Sequence, residues 1–231
     1  MTFAFAHRGG LDSGAAQNTL AAFADALARG CDLESDVRLA ADGVPVLVHD
    51  AVWVRGPWPV VTAALPSGVL RRWGVCTLEE LFAELGTDFE LSLDLKSPRA
   101  ISPLLAVLRK ATMRGRTWVT HDDLGLLGRV RAADEVVRLA HEAPMGRIRQ
   151  AGRTAPEHLA LLAACRIDAQ NTTWTGWSQE LLARARGHGL RAFGSLAQTK
   201  AELADAASRG LDGIYSDHLT DMKAALGAAL G

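Results

Sequence analysis

Four short stretches gather the residue types that move protons, hold cations or grip anions. They are His7-Arg8 before a glycine pair, Glu34 with Asp36, His49-Asp50, and Asp94 with Lys96. Residues two apart in a strand share a face, so Glu34 and Asp36 point together, as do Asp94 and Lys96. Burying three carboxylates near one another is costly without compensation. A hard divalent cation, Mg2+ or Ca2+, supplies it through oxygen ligands. Softer metals take histidine or cysteine, and the chain has no compact histidine triad. Arg8 and Lys96 beside such a cation suit a phosphate group, because arginine grips two oxygens at once. Histidine titrates near neutrality, which makes His7 and His49 candidates for acid and base. Cation, basic side chains and two histidines together describe phosphodiester cleavage. Singly, each element has a plainer reading, as an ion pair, a structural histidine or a turn; their co-occurrence at consecutive strand ends carries the chemistry.

Short apolar runs alternate with helical patterns along the whole chain. Leu20, Phe23, Ala24 and Leu27 mark one face of a helix over 18–29, closed by Gly30. Residues 31–39 alternate as a strand, Asp42-Gly43 is a tight-turn dipeptide, and 44–48 return as a second arm, so 31–48 is predicted to be a hairpin. Without that return arm, eight strands are predicted, starting near residues 2, 31, 89, 117, 135, 166, 189 and 213. Helices follow most of them. Thr77 with Glu80 and Thr154 with Glu157 are capping boxes. Ser102-Pro103 reads as a helix start, and Ser195 with Gln198 as another cap. The last helix is expected over 221–230. Residues 51–75 read as irregular, and 143–153 as a loop. Regular alternation implies a parallel sheet. Eight units in one domain over 1–231 suit a (β/α)8 TIM barrel with a β-hairpin extension after strand two. An open doubly wound sheet is the other arrangement this pattern allows; no GxGxxG follows a strand.

The chain has 231 residues and a formal net charge of −1, so no strong field draws it to nucleic acid or acidic membranes. Cys31, Cys76 and Cys165 are odd in number and widely spaced, which argues against a disulfide framework and predicts buried or half-buried thiols. No run is long and apolar enough for a transmembrane segment. The expected setting is cytoplasmic, with a small-molecule partner and no nucleic acid.

The order HRGG…QNTLAAFADALARGCDLESDVRLAADGVPVLVHD resembles, nearly unbroken over residues 6–50, the glycerophosphodiester phosphodiesterase family, within the PLC-like phosphodiesterase superfamily. LSLDLK at 91–96 looks like that family's ExK strand, and GLDGIYSD at 210–217 like its closing GxDGxxTD. The resemblance implies a (β/α)8 barrel, His7 and His49 as general acid and base, and Glu34, Asp36 and Asp94 as ligands of one divalent cation. It places Arg8 and Lys96 on the phosphate. It implies hydrolysis of a glycerophosphodiester to glycerol 3-phosphate and an alcohol. Two alternatives stand beside it: a lysophospholipase D or sphingomyelinase D-like enzyme that forms a cyclic phosphate from a lysophospholipid, and a weakly active barrel that binds phosphorylated ligands. Three departures from the pattern matter. Gln17 replaces the Glu of ENT, which would take a countercharge from Arg8. Asp94 replaces the Glu of ExK, as in the sphingomyelinase D branch. Phe193 stands where relatives have tryptophan, which would reshape the pocket. Trp53, Trp58 and Trp73 are expected to cover the alcohol side, His121 and His141 lie at strand ends, and Trp174 and Trp177 either line the site or pack.

Overall fold

A computed structural model describes residues 2–229. Eight parallel strands close a barrel: β1 (Phe3–Ala6), β2 (Asp32–Leu39), β6 (Leu91–Leu95), β7 (Thr117–His121), β8 (Arg138–Glu142), β9 (Ala169–Thr173), β10 (Arg191–Ser195) and β11 (Gly213–Ser216). β1 pairs with both β11 and β2, and so seals the ring. This is the (β/α)8 barrel expected from the alternation, not the open sheet. The hairpin extension is also present: β3 (Pro45–Leu47) runs antiparallel to β2, with Val37 opposite Leu47. Gly43 turns it at φ +79, a left-handed conformation that glycine adopts without strain.

The barrel is packed, not hollow. Phe5, Trp118, Phe193 and Tyr215 fill its interior, with Phe5 stacked on Tyr215 at 4.7 Å and Trp118 edge-on to Phe193 at 4.9 Å. This plug leaves room for a polar pocket only above it, at the C-terminal strand ends. The outer core lies between the strands and α1 (Leu20–Ala28), α3 (Leu78–Leu85), α4 (Ile101–Lys110), α5 (Leu124–Ala133), α7 (Ala155–Ala164), α8 (Gln179–Gly187), α9 (Lys200–Ser208) and α10 (Leu219–Ala228).

Several boundaries move from their predicted places for local reasons. The strands expected near 135, 166 and 189 begin at Arg138, Ala169 and Arg191. Asp134 first turns the chain by accepting from the N–H groups of Val136 and Val137, while Arg166 and Gly189 adopt left-handed φ of 57° and 74°. α4 begins at Ile101, after a 3-10 turn over Pro98–Ala100 that Ser97 caps. Pro103 therefore falls in the first turn, where a missing N–H costs little. Ser195 and Gln198 do not cap α9; Thr199 and Glu202 do, in a reciprocal capping box. The boxes at Thr77 and Thr154 form as predicted. The last helix starts two residues early, and Leu230 lies outside the described residues.

Residues 51–75 are not irregular. β4 (Val52–Arg55) and β5 (Trp58–Val61) form a hairpin, followed by α2 (Ser67–Arg72). Pro59 is tolerated because this two-stranded sheet has only edges. Residues 143–153 carry a short helix, α6 (Met145–Gln150). Cys31 and Cys76 are buried thiols, while Cys165 is exposed. No helix among the described residues is long and apolar enough to cross a membrane.

His141 points away from the pocket, between the barrel and α7. Its Nδ1 meets Gln170 at 3.0 Å and its Nε2 the Asp122 carbonyl at 3.1 Å, while His158 from α7 stands 3.2 Å from His141. Burial, then the neighbouring His141, hold His158 down to about 4, and Arg153 adds to the effect. The unfolded chain takes up this proton near 6.5, so the histidine favours folding fully above that pH and progressively less as pH falls toward 4. A His158→Leu variant should therefore gain about 2 kcal/mol relative to wild type between pH 8 and pH 4.5. Urea denaturation across that range checks this; parallel stability curves would contradict it.

Candidate active site

The pocket above the aromatic plug is lined by residues from all the barrel strands and from the hairpin arm, and encloses ≈ 270 Å³. That is room for a small molecule. All seven site residues predicted from the sequence line it: His7, Arg8, Glu34, Asp36, His49, Asp94 and Lys96.

The first block is shaped by its glycines. Arg8, Gly9 and Gly10 have φ of 52°, 85° and 83°. A Cβ on Gly9 would come within 2.7 Å of the Ala22 Cβ, and one on Gly10 within 2.7 Å of Leu219. Only glycine permits the tight turn that sets His7 and Arg8 over the strand end. The Arg8 backbone N–H donates to Glu34 at 2.9 Å, which ties β1 to β2.

Asp36 is the buried centre of charge. It is 2 % exposed. Arg8 Nε stands 3.3 Å from one of its oxygens and Lys96 Nζ 3.0 Å from the other, and the Asn18 amide donates at 3.4 Å. β2 and β6 hold Asp36 directly opposite Asp94, and Lys96 bridges the two acids. Burial would lower the Lys96 pKa, but Asp94 and Asp36 outweigh it and raise it. Glu34 is different: burial, helped by Asp36 and Asp94, pushes it well above the ordinary carboxylate range, against the pull of His7 and the Arg8 N–H. Glu34, Asp36 and Asp94 thus share one corner of the pocket and offer only oxygen donors. As they stand, Asp36 and Asp94 turn onto Lys96, and no three acidic, histidine or cysteine side chains among the described residues converge on one point.

The two histidines are oriented by separate acids. His7 Nδ1 meets Asp217 at 2.8 Å, and His49 Nδ1 meets Asp50 at 2.7 Å. Arg38 and the hairpin fix the His49 backbone, since Arg38 Nε donates to its carbonyl at 2.8 Å. Burial alone would lower the His7 pKa. The Asp217 hydrogen bond and the charges of Glu34 and Asp217 outweigh it, with Arg8 opposing, so it is raised above 6.5.

Asp217 was not among the predicted site residues, although it closes the GLDGIYSD block. It accepts from Gln17 at 3.0 Å and from Gln198 at 2.6 Å as well as facing His7. Gln17 lines the second groove with Arg8, but its amide is engaged by Asp217, and the countercharge of Arg8 is Asp36. Gln17 donates to Asp217, which a glutamate could not do without repulsion. Phe193 is also corrected: it is fully buried in the plug, and Ser195 and Leu196 form the pocket wall at that strand end. Trp174 and Trp177 pack, the latter donating to the Phe193 carbonyl at 2.8 Å. His121 accepts from the Asp123 N–H at 2.8 Å and lies outside the main pocket. A second groove shares Arg8 and His49 with the pocket and runs under Trp53 and Trp73, whose rings meet edge-on at 6.1 Å. Trp58 is 72 % exposed and does not join it.

Two carboxylate-oriented histidines beside an arginine, a lysine and buried acids, at the C-terminal mouth of a (β/α)8 barrel, define a phosphodiesterase-type site. The model of the glycerophosphoryl diester phosphodiesterase family matches residues 7–220, and the chain belongs to that family. A glycerophosphodiester phosphodiesterase of Caldanaerobacter subterraneus is 25 % identical, over 94 % of this chain and 94 % of its own. Among solved structures, the glycerophosphodiester phosphodiesterase of Thermotoga maritima superposes with a TM-score of 0.81 at 21 % identity, covering 100 % of this chain and 99 % of that one. A phosphodiesterase of Oleispira antarctica, determined with the product sn-glycerol-3-phosphate, gives 0.81 at 19 % identity, covering 98 % and 97 %. The chain is an enzyme of this phosphodiesterase class.

Replacing Asp217 by asparagine removes its charge and leaves only a neutral amide oxygen to accept from His7, so the balance shifts toward burial. The His7 pKa is expected to fall in Asp217→Asn, read by NMR titration of the ring in metal-free protein. An unchanged or higher value would contradict the pairing.

Proposed function

We propose that the protein hydrolyses glycerophosphodiesters to glycerol 3-phosphate and an alcohol, with His7 and His49 as base and acid and one divalent cation, Mg2+ or Ca2+. The observation that carries the reading is the pair of histidines, each held at Nδ1 by its own carboxylate, in the pocket that Arg8 also lines. A cation bound by Glu34, Asp36 and Asp94 would neutralise phosphate charge and polarise its oxygens. The all-oxygen donor set fits a hard ion, and the raised pKa of Glu34 marks an acid that lacks compensation. Arg8 and Lys96 grip the phosphate, Lys96 exchanging its carboxylate partners for phosphate oxygens.

His7 sits in the barrel mouth with Asp217 behind it, which stabilises the imidazolium formed when it accepts a proton. It serves as the base toward the attacking oxygen. His49 borders both the pocket and the Trp53–Trp73 groove, so it serves as the acid toward an alcohol leaving into that groove. The proton leaves the nucleophile for His7, the P–O bond to the alcohol breaks, and His49 protonates the departing oxygen. The same transfers apply whether water or the glycerol hydroxyl beside the phosphate attacks. In the second case a cyclic phosphate forms first; His49, now neutral, then takes a proton from water, and His7 returns its proton to the glycerol oxygen as the ring opens.

His7→Ala and His49→Ala should each lower kcat on a glycerophosphodiester by about 10²–10⁴-fold. Chelation should abolish turnover, and Mg2+ or Ca2+ should restore it. Assay of released glycerol 3-phosphate checks both; full activity in either variant or after chelation would refute the corresponding part. Accumulated cyclic phosphate would assign the enzyme to the lyase-type alternative.

A further inference from the structure

The pocket has two unlike halves. The charges that face phosphate lie on β1, β2 and β6. Across the ring, β8 and β9 contribute a second polar wall to which the reaction above gives no task. Glu142 ends β8, Asn171 is the middle residue of β9, and the two stand opposite each other in the pairing register. Both line the pocket. Asn171 is 3 % exposed, and its Oδ1 is buried with no hydrogen-bond partner among the described residues. Among the described residues the Glu142 carboxyl is likewise held by no hydrogen bond or ion pair; burial, then Asp94, raises its pKa, with Lys96 and His7 opposing.

Buried polar atoms are rarely left without partners, and an unpaired acceptor facing a cavity calls for a donor from a ligand. The buried Asn171 Oδ1 and the two Glu142 carboxylate oxygens are acceptors. A carboxylate has two oxygens that can take two O–H groups from adjacent carbons, and an amide oxygen takes one more donor. A quaternary ammonium would prefer aromatic faces, whereas the neighbouring wall is Thr173 and Ser195. A metal would need a further converging ligand, and none is placed here.

We propose that Glu142 and Asn171 form a diol-binding subsite that holds the hydroxyl-bearing arm of the substrate, the glycerol of the reading above. Glu142 and Asn171 are specificity-determining residues, not catalytic ones. They hold the polyol inside the barrel, next to His7, and leave the variable alcohol to the groove beside His49. The inference rests on the glycerophosphodiester reading and supplies its selectivity.

Calorimetry with glycerol 3-phosphate and with propyl phosphate, which lacks both hydroxyls, tests the subsite in wild type, Glu142→Ala and Asn171→Ala. Each variant should lose about tenfold in glycerol 3-phosphate affinity, the scale of one lost hydrogen bond, while propyl phosphate affinity and Ca2+ affinity stay unchanged. Glu142→Gln keeps the shape should the alanine variant fail to fold, and it should also lose selectivity because one acceptor becomes a donor. Unchanged glycerol 3-phosphate affinity, equal losses for both phosphates, or a loss of Ca2+ affinity would each overturn the subsite. A wild-type enzyme that turns over no glycerophosphodiester would instead overturn the substrate reading itself.

Discussion

The site depends on how one buried carboxylate is compensated. Asp36 lies almost wholly out of water at the barrel mouth, with Arg8, Lys96 and Asn18 around it. A buried charge without partners would cost several kcal/mol, on the order of what a whole domain's stability affords it to lose. Meeting that requirement draws three segments together. The glycine turn brings Arg8 down from β1, β6 brings Lys96 across, and the left-handed Asn18 (φ 58°) brings its amide inward. The same convergence that satisfies Asp36 sets two cations and three acids around one small space. Stability and the proposed phosphate chemistry therefore make the same demand on the fold.

A second organising group sits behind His7. Asp217 collects His7, Gln17 and Gln198 from β1, the loop before α1 and the segment before α9. Neutral amide donors meet Asp217 beside His7, whose pKa Asp217 raises. Burial would raise Asp217, but His7 and Gln198 bring it below the ordinary carboxylate range. Each histidine in the pocket is thus oriented by a carboxylate that is not itself part of the phosphate-facing set.

Much of this was legible in the sequence because it is local. The Glu34–Asp36 alternation, the Asp42-Gly43 turn and the His49 return are set within twenty residues, and the pairing of Val37 with Leu47 confirms them. The strand count followed from period and punctuation. What stayed hidden depends on residues far apart in the chain. Gln17 looked like a missing countercharge for Arg8 because sequence proximity stood in for contact; its partner is 200 residues away. Phe193 looked like pocket wall, yet its inward position falls one layer too deep, within the aromatic plug. Glu142 and Asn171 carried no motif, and only the register of β8 against β9 brings them side by side. Their inward spacing from Ala140 and Ala169, two residues earlier on each strand, was the one sequence signal that pointed to them.

The acids and bases at the barrel mouth are proposed to share a single cation–phosphate centre. A crystal structure with Ca2+ and glycerol 3-phosphate tests it most directly. The expected result is the ion bonded to Glu34, Asp36 and Asp94, and the phosphate on Arg8 and Lys96. An ion bound elsewhere, or a phosphate that leaves Lys96 paired to Asp36, would contradict it.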